Sequence, residues 1–237
     1  MNPLFPLIVR GAKTSRRGKV LVGPIDLELG GDGATVVIGP NGSGKTSLLS
    51  LLHGTARLTG GEIRWAVPLE EARHHQAFVF QRPVMLRRSV LDNIAFPLLV
   101  HGTSRAEARE SARYWAGRVG LGKMLERWAS GLSGGEQQKL ALARALITSP
   151  KVLFLDEPCT ALDGRATREI EEILHEIKAA GTRLILSTHD LGQARRLADE
   201  VVFLLHGQVR ETSLAETFFN SPDTPEAQSF IRGDIVE

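Results

Sequence analysis

The strongest constraint on this chain is a glycine-rich octapeptide, Gly39-Pro-Asn-Gly-Ser-Gly-Lys-Thr46, which fits the pattern G-x-x-x-x-G-K-[ST]. A strand-like apolar run precedes it at residues 34–38, and a helical run follows at residues 47–52. In such a loop the glycines let backbone N–H groups converge on phosphate oxygens, and the helix start adds the positive end of its dipole. We therefore predict an ATP phosphate site rather than an ordinary glycine-rich turn. The predicted contacts are Gly39, Pro40, Asn41, Gly42, Ser43, Gly44, Lys45 and Thr46.

Four side chains have predicted chemical roles. Lys45 is expected to reach the β- and γ-phosphates, and Thr46 to hold Mg²⁺ through its hydroxyl. Asp156 and Glu157 follow the apolar run 151–155, where a parallel sheet presents its ligands. We expect Asp156 to hold Mg²⁺, mostly through a water, and Glu157 to polarise the attacking water as a general base. The alternative, in which these acids only end a strand in solvent, is disfavoured beside a phosphate loop.

The spacing of apolar runs predicts the fold class. Runs 34–38, 151–155 and 183–186 are rich in Val, Ile and Leu and alternate with helical patterns, which is typical of parallel strands buried on both faces. We predict an α/β fold with a P-loop NTPase core and a mainly parallel sheet.

Three further regions complete a single predicted domain over residues 1–237. An antiparallel β subdomain is expected at about residues 1–33, from the runs 7–9, 19–22 and 25–29. An inserted helical lobe is expected at about residues 89–131, and a tail with one helix at about residues 213–237.

A second glycine-rich helix start lies at Leu132-Ser-Gly-Gly-Glu136, before a helix expected to run to about Thr148. Ser133 and Glu136 have the spacing of a capping box, so helix capping is one interpretation. Two glycines, however, weaken a helix start and suit a site that a phosphate approaches closely. Since one phosphate loop already exists, we predict that Ser133, Gly134 and Gly135 contact nucleotide bound to a partner chain.

Together these motifs resemble those of the nucleotide-binding subunit of an ATP-binding cassette (ABC) transporter, over roughly residues 7–208. They occur in the family's order at residues 39–46, Gln81, 132–136, 153–157, 161–163 and His189. The resemblance implies that Gln81 joins Mg²⁺ and the attacking water to the helical lobe, that Asp163 crosses a dimer interface and that His189 contacts the γ-phosphate. It further implies a head-to-tail dimer of two copies that hydrolyses ATP with Mg²⁺.

The chain departs from the family pattern at several positions. The position that usually holds an adenine-stacking aromatic residue aligns with Arg16 or Arg17. A guanidinium can stack on a base, so either arginine could replace the ring; an exposed basic turn is the alternative. Cys159 stands where threonine or serine is common, and we interpret it as a small buried substitute rather than a nucleophile. Glu136 and Lys139 replace the commoner glutamine and arginine.

Composition bears on the partners. Lysine and arginine (29) nearly balance aspartate and glutamate (27), so the net charge of +2 lacks the basic footprint of a nucleic-acid protein. The single cysteine fits a reducing compartment.

No run of about 18 apolar residues, the length needed to span a bilayer, occurs in the sequence. The best candidate, residues 89–100, contains Asp92, Asn93 and Pro97. No leader is expected, and the chain is predicted to be cytoplasmic and peripheral on the inner face of the cell membrane.

The resemblance is to bacterial importer subunits, which act with integral membrane permeases and, indirectly, a secreted solute-binding protein. Segments 80–90, 219–222 and 230–233 look most similar to tungstate-type oxyanion importers, with phosphate and amino-acid importers as alternatives. A cassette ATPase acting on nucleic acid or ribosomes, an exporter's ATPase and an ATP-binding regulator without turnover are rival interpretations.

Overall fold

In the computed structural model, which describes residues 2–160 and 162–234, the strands form two sheets. The strands are β1 (Leu7–Arg16), β2 (Lys19–Leu29), β3 (Ala34–Ile38), β4 (Gly60–Arg64), β5 (Gln76–Val79), β6 (Val152–Asp156), β7 (Arg183–Ser187), β8 (Glu200–Leu205) and β9 (Gln208–Leu214). The helices are α1 (Lys45–His53), α2 (Leu69–His74), α3 (Val90–Val100), α4 (Arg105–Arg118), α5 (Gly134–Leu146), α6 (Gly164–Ala179), α7 (Leu191–Leu197), α8 (Ala215–Asn220) and α9 (Pro225–Arg232).

The larger sheet has the strand order β5-β6-β7-β3-β8-β9. Its first five strands are parallel, and β9 pairs antiparallel with β8. Every residue of β3, β6 and β7 is buried, because helices cover both faces of the sheet. The predicted α/β fold with a mainly parallel sheet is confirmed, and the carboxyl ends of β3 and β6 lie on either side of β7.

The smaller sheet is antiparallel, with the order β2-β1-β4. The two runs predicted at 19–22 and 25–29 are one strand, β2, because Pro24 falls between the paired residues Val22 and Ile25 of an edge strand, where a missing N–H is tolerated. β1 is also longer than the predicted 7–9. The third strand, β4, was not predicted and follows α1, so the antiparallel sheet draws on residues beyond 33.

Helices α3 and α4, which fall within the segment predicted to be a helical lobe, pack against each other and against α5. A stripe of three alanines, Ala108, Ala112 and Ala116, is fully buried on α4. This i, i+4 spacing places small residues on one helix face and lets the neighbouring helices approach it closely.

Asn93 fixes the segment that leads from β5 into this lobe. Its side chain is fully buried, and Nδ2 donates to the carbonyls of Leu86 at 3.1 Å, Arg88 at 3.2 Å and Ser89 at 2.9 Å. Oδ1 accepts the Leu86 N–H at 3.0 Å. An amide that satisfies four backbone groups holds an otherwise irregular segment in one conformation.

The tail contains two helices, α8 and α9, so the prediction of one helix is wrong. Residues 221–224 divide them. Glu211 of β9 anchors this turn, because its Oε2 accepts the N–H of Asp223 at 3.1 Å and both the N–H and the hydroxyl of Thr224 at 3.0 Å. Residues 235–237 of the predicted tail lie outside the described residues.

Across the described ranges, none of the helices is both long enough and apolar enough to cross a bilayer.

Candidate nucleotide site

The glycine-rich octapeptide joins β3 to α1 and requires glycine at two positions for steric reasons. Gly39 has φ 151°, and a Cβ there would lie 2.0 Å from the carbonyl oxygen of Leu204. Gly44 has φ 105°, and a Cβ there would lie 2.7 Å from Val22 Cγ2. Gly44 is also the N-cap of α1 and provides no side-chain cap, so the first N–H groups of that helix are available to an anion.

Two polar side chains of this loop fit a polyphosphate. Lys45 is nearly buried, and its Nζ donates to the carbonyls of Gly39 at 2.9 Å and Pro40 at 3.2 Å. Desolvation lowers the pKa of Lys45, and the nearby Glu157 and Asp156 oppose that shift. The hydroxyl of Ser43 is buried without a hydrogen-bond partner among the described residues, and a phosphate oxygen would supply one.

A second cluster joins Thr46 to the end of β6. Thr46 Oγ1 donates to Asp156 Oδ1 at 3.1 Å, and Ser187 Oγ donates to the same oxygen at 2.6 Å. Mg²⁺ is usually held by one or two protein oxygens together with substrate phosphates, and this donor set fits that pattern. No group of three or more His, Cys, Asp or Glu that could hold a metal occurs within residues 2–160 and 162–234. Ser187 was not predicted, although it ends β7 directly beside Asp156.

Glu157 is held in an unusual conformation at the centre of the site. Its φ is 47°, a left-handed value that is costly for a non-glycine residue, and its N–H donates to the carbonyl and hydroxyl oxygens of Ser187 at 3.1 and 3.2 Å. Its Oε2 accepts from Gln81 Nε2 at 2.9 Å and Thr160 Oγ1 at 3.0 Å, and lies 3.2 Å from His189 Nδ1. Side chains from three separate loops thus meet at one carboxylate oxygen.

The phosphate loop, Gln81, Glu157 and His189 line one cleft of about 560 Å³. Its lining residues are Leu21, Asn41, Gly42, Gly44, Lys45, Thr46, Ser47, Gln81, Glu157, Thr160 and His189. The structure therefore brings the phosphate loop, Gln81, Glu157 and His189 together. Leu21 and Thr160 were not predicted; Thr160 lies three residues after Glu157, which is the only sequence signal that could have indicated it.

Arg16 and Arg17 do not line this cleft. Both are exposed: Arg16 is the last residue of β1, and Arg17 lies in the turn that follows, with φ 51°. The same hairpin nevertheless runs against the phosphate loop, because the carbonyl of Leu21 lies 3.2 Å from where a Cβ on Gly44 would be.

Ser133, Gly134 and Gly135 also lie away from this cleft, at the start of α5. Ser133 and Glu136 form a reciprocal capping box, with Ser133 N–H donating to Glu136 Oε2 at 2.7 Å. Those hydrogen bonds with Ser133 lower the pKa of Glu136. Lys139, further along α5, pairs with Glu169 of α6 at 2.8 Å.

Asp163 and Cys159 have local roles. Asp163 caps α6, since its Oδ1 accepts the N–H groups of Arg165 at 3.0 Å and Ala166 at 2.8 Å. Ala161, the first residue of that predicted motif, lies outside the described residues.

Burial raises the pKa of the Cys159 thiol to about 12, so the thiol stays protonated and is a poor nucleophile.

A glycine-rich loop at a helix start, a lysine within it and paired acids at the end of an adjacent strand define a P-loop ATPase. Residues 22–160 match the family model described as ABC transporter. The chain belongs to this family and is an ATP-binding subunit with ATPase activity.

Several curated relatives are similar over nearly the whole chain. A phosphate import ATP-binding protein from Natronomonas pharaonis is 36% identical over 97% of this chain and 87% of its own length. The tungstate uptake system ATP-binding protein of Peptoclostridium acidaminophilum is 36% identical over 90% of this chain and 99% of its own. A glutamate transport ATP-binding protein from Corynebacterium efficiens is 34% identical over 87% and 90%, respectively.

A solved structure supports the fold independently. A dimeric ATP-binding cassette in a post-hydrolysis state with ADP and Pi superimposes with a TM-score of 0.81 at 24% identity, covering 88% of this chain and 98% of that one.

Gly39→Ala should lower both stability and ATP affinity. The added Cβ meets the Leu204 carbonyl, and we expect a loss of about 2 kcal/mol or more of unfolding free energy, together with an ATP affinity at least about tenfold weaker. Urea denaturation and equilibrium ATP binding measure the two effects. Gly117→Ala in α4 is the matched control, because its added Cβ meets no atom outside its own helical turn within 4 Å among the described residues. If Gly39→Ala has the wild-type midpoint and affinity, this account of the loop is wrong.

Proposed function

We propose that this chain hydrolyses ATP to power the import of a small solute through separate permease subunits. The observation that carries the proposal is the convergence of Gln81, Thr160 and His189 on the Glu157 carboxylate, beside the phosphate loop. Two of the relatives named above, the phosphate import and tungstate uptake ATP-binding proteins, support the transport role.

ATP binding is assigned to the residues of the octapeptide, from Gly39 to Thr46. The uncapped start of α1 and the Lys45 ammonium group supply positive potential where the β- and γ-phosphates would bind. Thr46, Asp156 and Gln81 are the proposed Mg²⁺ ligands, with Asp156 acting mostly through a water. When bound, Mg²⁺ would neutralise charge that develops on the phosphate oxygens.

Glu157 is the proposed general base. Within residues 2–160 and 162–234, the polar side-chain contacts of Glu157 all go to Oε2. The carboxylate is therefore oriented, and Oε1 serves to accept a proton from the attacking water. In this scheme Glu157 handles the proton and Asp156 the metal. His189, held against the same carboxylate oxygen, is the proposed γ-phosphate contact.

Two copies of the chain complete the proposed catalytic unit. Ser133 and Gly134 are exposed at the start of α5, where they and Gly135 can cover a nucleotide bound to the partner's phosphate loop. A two-fold, head-to-tail pair would enclose two such sites. Asp163 is proposed to lie at that interface, and the dimeric state of the structural neighbour supports the arrangement.

The permease is proposed to contact the surface near Gln81 and residues 83–97, which connects the cleft to the lobe. The chain would then work at the cytoplasmic face of the membrane, with a secreted solute-binding protein as an indirect partner. A net charge of +2 supports a partner other than nucleic acid.

Glu157→Gln should abolish steady-state ATP hydrolysis while preserving ATP binding. The amide keeps the shape of the side chain but cannot take up a proton, so we expect kcat to fall by about 10²–10⁴. Phosphate release and equilibrium ATP binding measure the two properties. In size-exclusion chromatography with ATP, the variant should elute as a dimer.

Glu172→Gln on the exposed face of α6 is the control and should retain wild-type turnover. Substantial hydrolysis by Glu157→Gln would rule out the base assignment. A variant that binds ATP without dimerising would contradict the two-copy site.

Arg16 is proposed to stack on adenine, with Arg17 as the alternative. Arg16→Ala should weaken ATP binding by about 0.5–2 kcal/mol, the range of a cation–π contact, and should weaken inorganic triphosphate binding much less, because that probe has no base. The matched variant is Arg17→Ala. If both variants bind ATP as the wild type does, the adenine contact lies elsewhere, with Leu21 as the nearest apolar lining residue.

The cargo is proposed to be tungstate or a related oxyanion. The solute-binding protein that acts with this chain is expected to bind tungstate more tightly than phosphate or amino acids in isothermal titration calorimetry. Preference for phosphate or for an amino acid would contradict the tungstate assignment and leave the ATPase assignment intact.

A further inference from the structure

Trp128 is a large aromatic side chain that projects from the chain without an internal stacking partner. It is 61% exposed. Phe80 and Tyr114 are comparably exposed, at 43% and 58%, but Phe80 stacks on Phe78 and Tyr114 packs against Trp115. Within residues 2–160 and 162–234, no aromatic ring or cation stacks on Trp128. Its ring is therefore available to a flat group from outside the chain.

The backbone on both sides of Trp128 is fixed by hydrogen bonds to the segment 88–90. The carbonyl of the preceding residue accepts a backbone N–H from this segment at 2.9 Å, and the N–H of the following residue donates to it at 3.0 Å. Trp128 therefore lies opposite Ser89 in a short antiparallel bridge. An aromatic side chain with two rotatable bonds on a fixed backbone loses little conformational entropy when it binds a ligand.

Trp128 lies one short turn before the start of α5. A 3₁₀ turn follows it at Ala129–Gly131, in which the Gly131 N–H donates to the Trp128 carbonyl at 3.0 Å. Ser133, the N-cap of α5, comes two residues after this turn. The indole is thus attached to the surface that is proposed above to cover a nucleotide on the partner's phosphate loop.

The nucleotide cleft itself offers no flat aromatic platform for adenine. Among its described lining residues there is no phenylalanine, tyrosine or tryptophan, and Leu21 is the one aliphatic side chain. Arg16, proposed above to stack on the base from the same chain, can cover only one of the two faces of adenine. Stacking of an aromatic side chain on the other face is favourable for any base, because every base has a π-face.

We propose that Trp128 stacks on the adenine of ATP bound to the partner's phosphate loop and so completes the nucleotide site across the dimer. This inference rests on the two-copy site proposed above. An indole that stacks responds to the ring area of the base more than to its exocyclic groups. The ligand class is therefore a purine nucleoside triphosphate, and the smaller ring of a pyrimidine binds less tightly. In this arrangement the base, as well as the triphosphate, stabilises the dimer.

The test measures ATP-dependent dimerisation by sedimentation velocity, in a Glu157→Gln background that prevents turnover. Adding Trp128→Leu should weaken dimerisation at least about tenfold, because each dimer loses two base–aromatic stacks. Trp128→Phe, which keeps a flat ring, should recover most of that loss. Tyr114→Leu removes an exposed aromatic residue from α4 and is the matched control, expected to have no effect. Equal dimerisation with and without Trp128→Leu would overturn the inference.

Replacing ATP by CTP separates a contact with the base from a contact with the partner's polypeptide. Cytosine has a single ring and offers less area to the indole, so the loss caused by Trp128→Leu should shrink to about threefold or less. The same loss with both nucleotides would place the indole against the polypeptide of the partner and would overturn the inference.

ATP binding by the single chain shows which copy uses the tryptophan. At chain concentrations too low for dimers to form, Trp128→Leu should bind ATP as tightly as the wild type does, because the indole acts on the other copy's nucleotide. Weaker binding by the single chain would assign Trp128 to its own cleft and would overturn the inference.

Two further results separate this inference from a role in folding and from failure of the two-copy site. The melting temperature of Trp128→Leu should lie within a few degrees of the wild-type value, since most of the side chain is exposed. A markedly lower value would assign the indole to the fold and would overturn the inference. If Glu157→Gln with Trp128 intact fails to dimerise in ATP, the two-copy proposal itself fails, which is a different result from equal dimerisation of the two variants.

Discussion

The nucleotide site depends on one buried carboxylate. Asp156 is 2% exposed, and its Oδ1 accepts hydroxyl hydrogen bonds from Thr46 of α1 and Ser187 of β7. Burying a carboxylate without such partners is expensive, so the satisfaction of this group links the phosphate loop to two central strands. In the proposed mechanism the Thr46 hydroxyl and the Asp156 carboxylate face Mg²⁺. Fold stability and metal chemistry therefore rest on the same atoms.

Backbone geometry does as much as side-chain chemistry in shaping the cleft. Gly39 takes a conformation and a close contact that exclude any side chain, while Glu157 takes a left-handed conformation although it carries one. Two hydrogen bonds from the Glu157 N–H to Ser187 hold that strained residue. Strain at a proposed catalytic base is tolerated because the buried strands β6 and β7 leave its backbone no alternative.

The segment between Gln81 and α3 connects the nucleotide cleft to the helical lobe. Asn93 fixes its later part through four backbone hydrogen bonds. At its start, Gln138 of α5 donates to the carbonyl of Phe80 at 3.4 Å. Gln81 thus lies between a segment held by the helical lobe and the carboxylate of Glu157.

The sequence by itself determined the phosphate loop, the acidic pair and the parallel α/β class, because each is a local pattern of residue type and period. It indicated Gln81 and His189 only through family resemblance. Tertiary structure decided that Thr160, Ser187 and Leu21 join the site and that β4 completes the antiparallel sheet. Strand order explains this division: β7 pairs with both β3 and β6, and hydrophobic periodicity carries no information about which strands become neighbours.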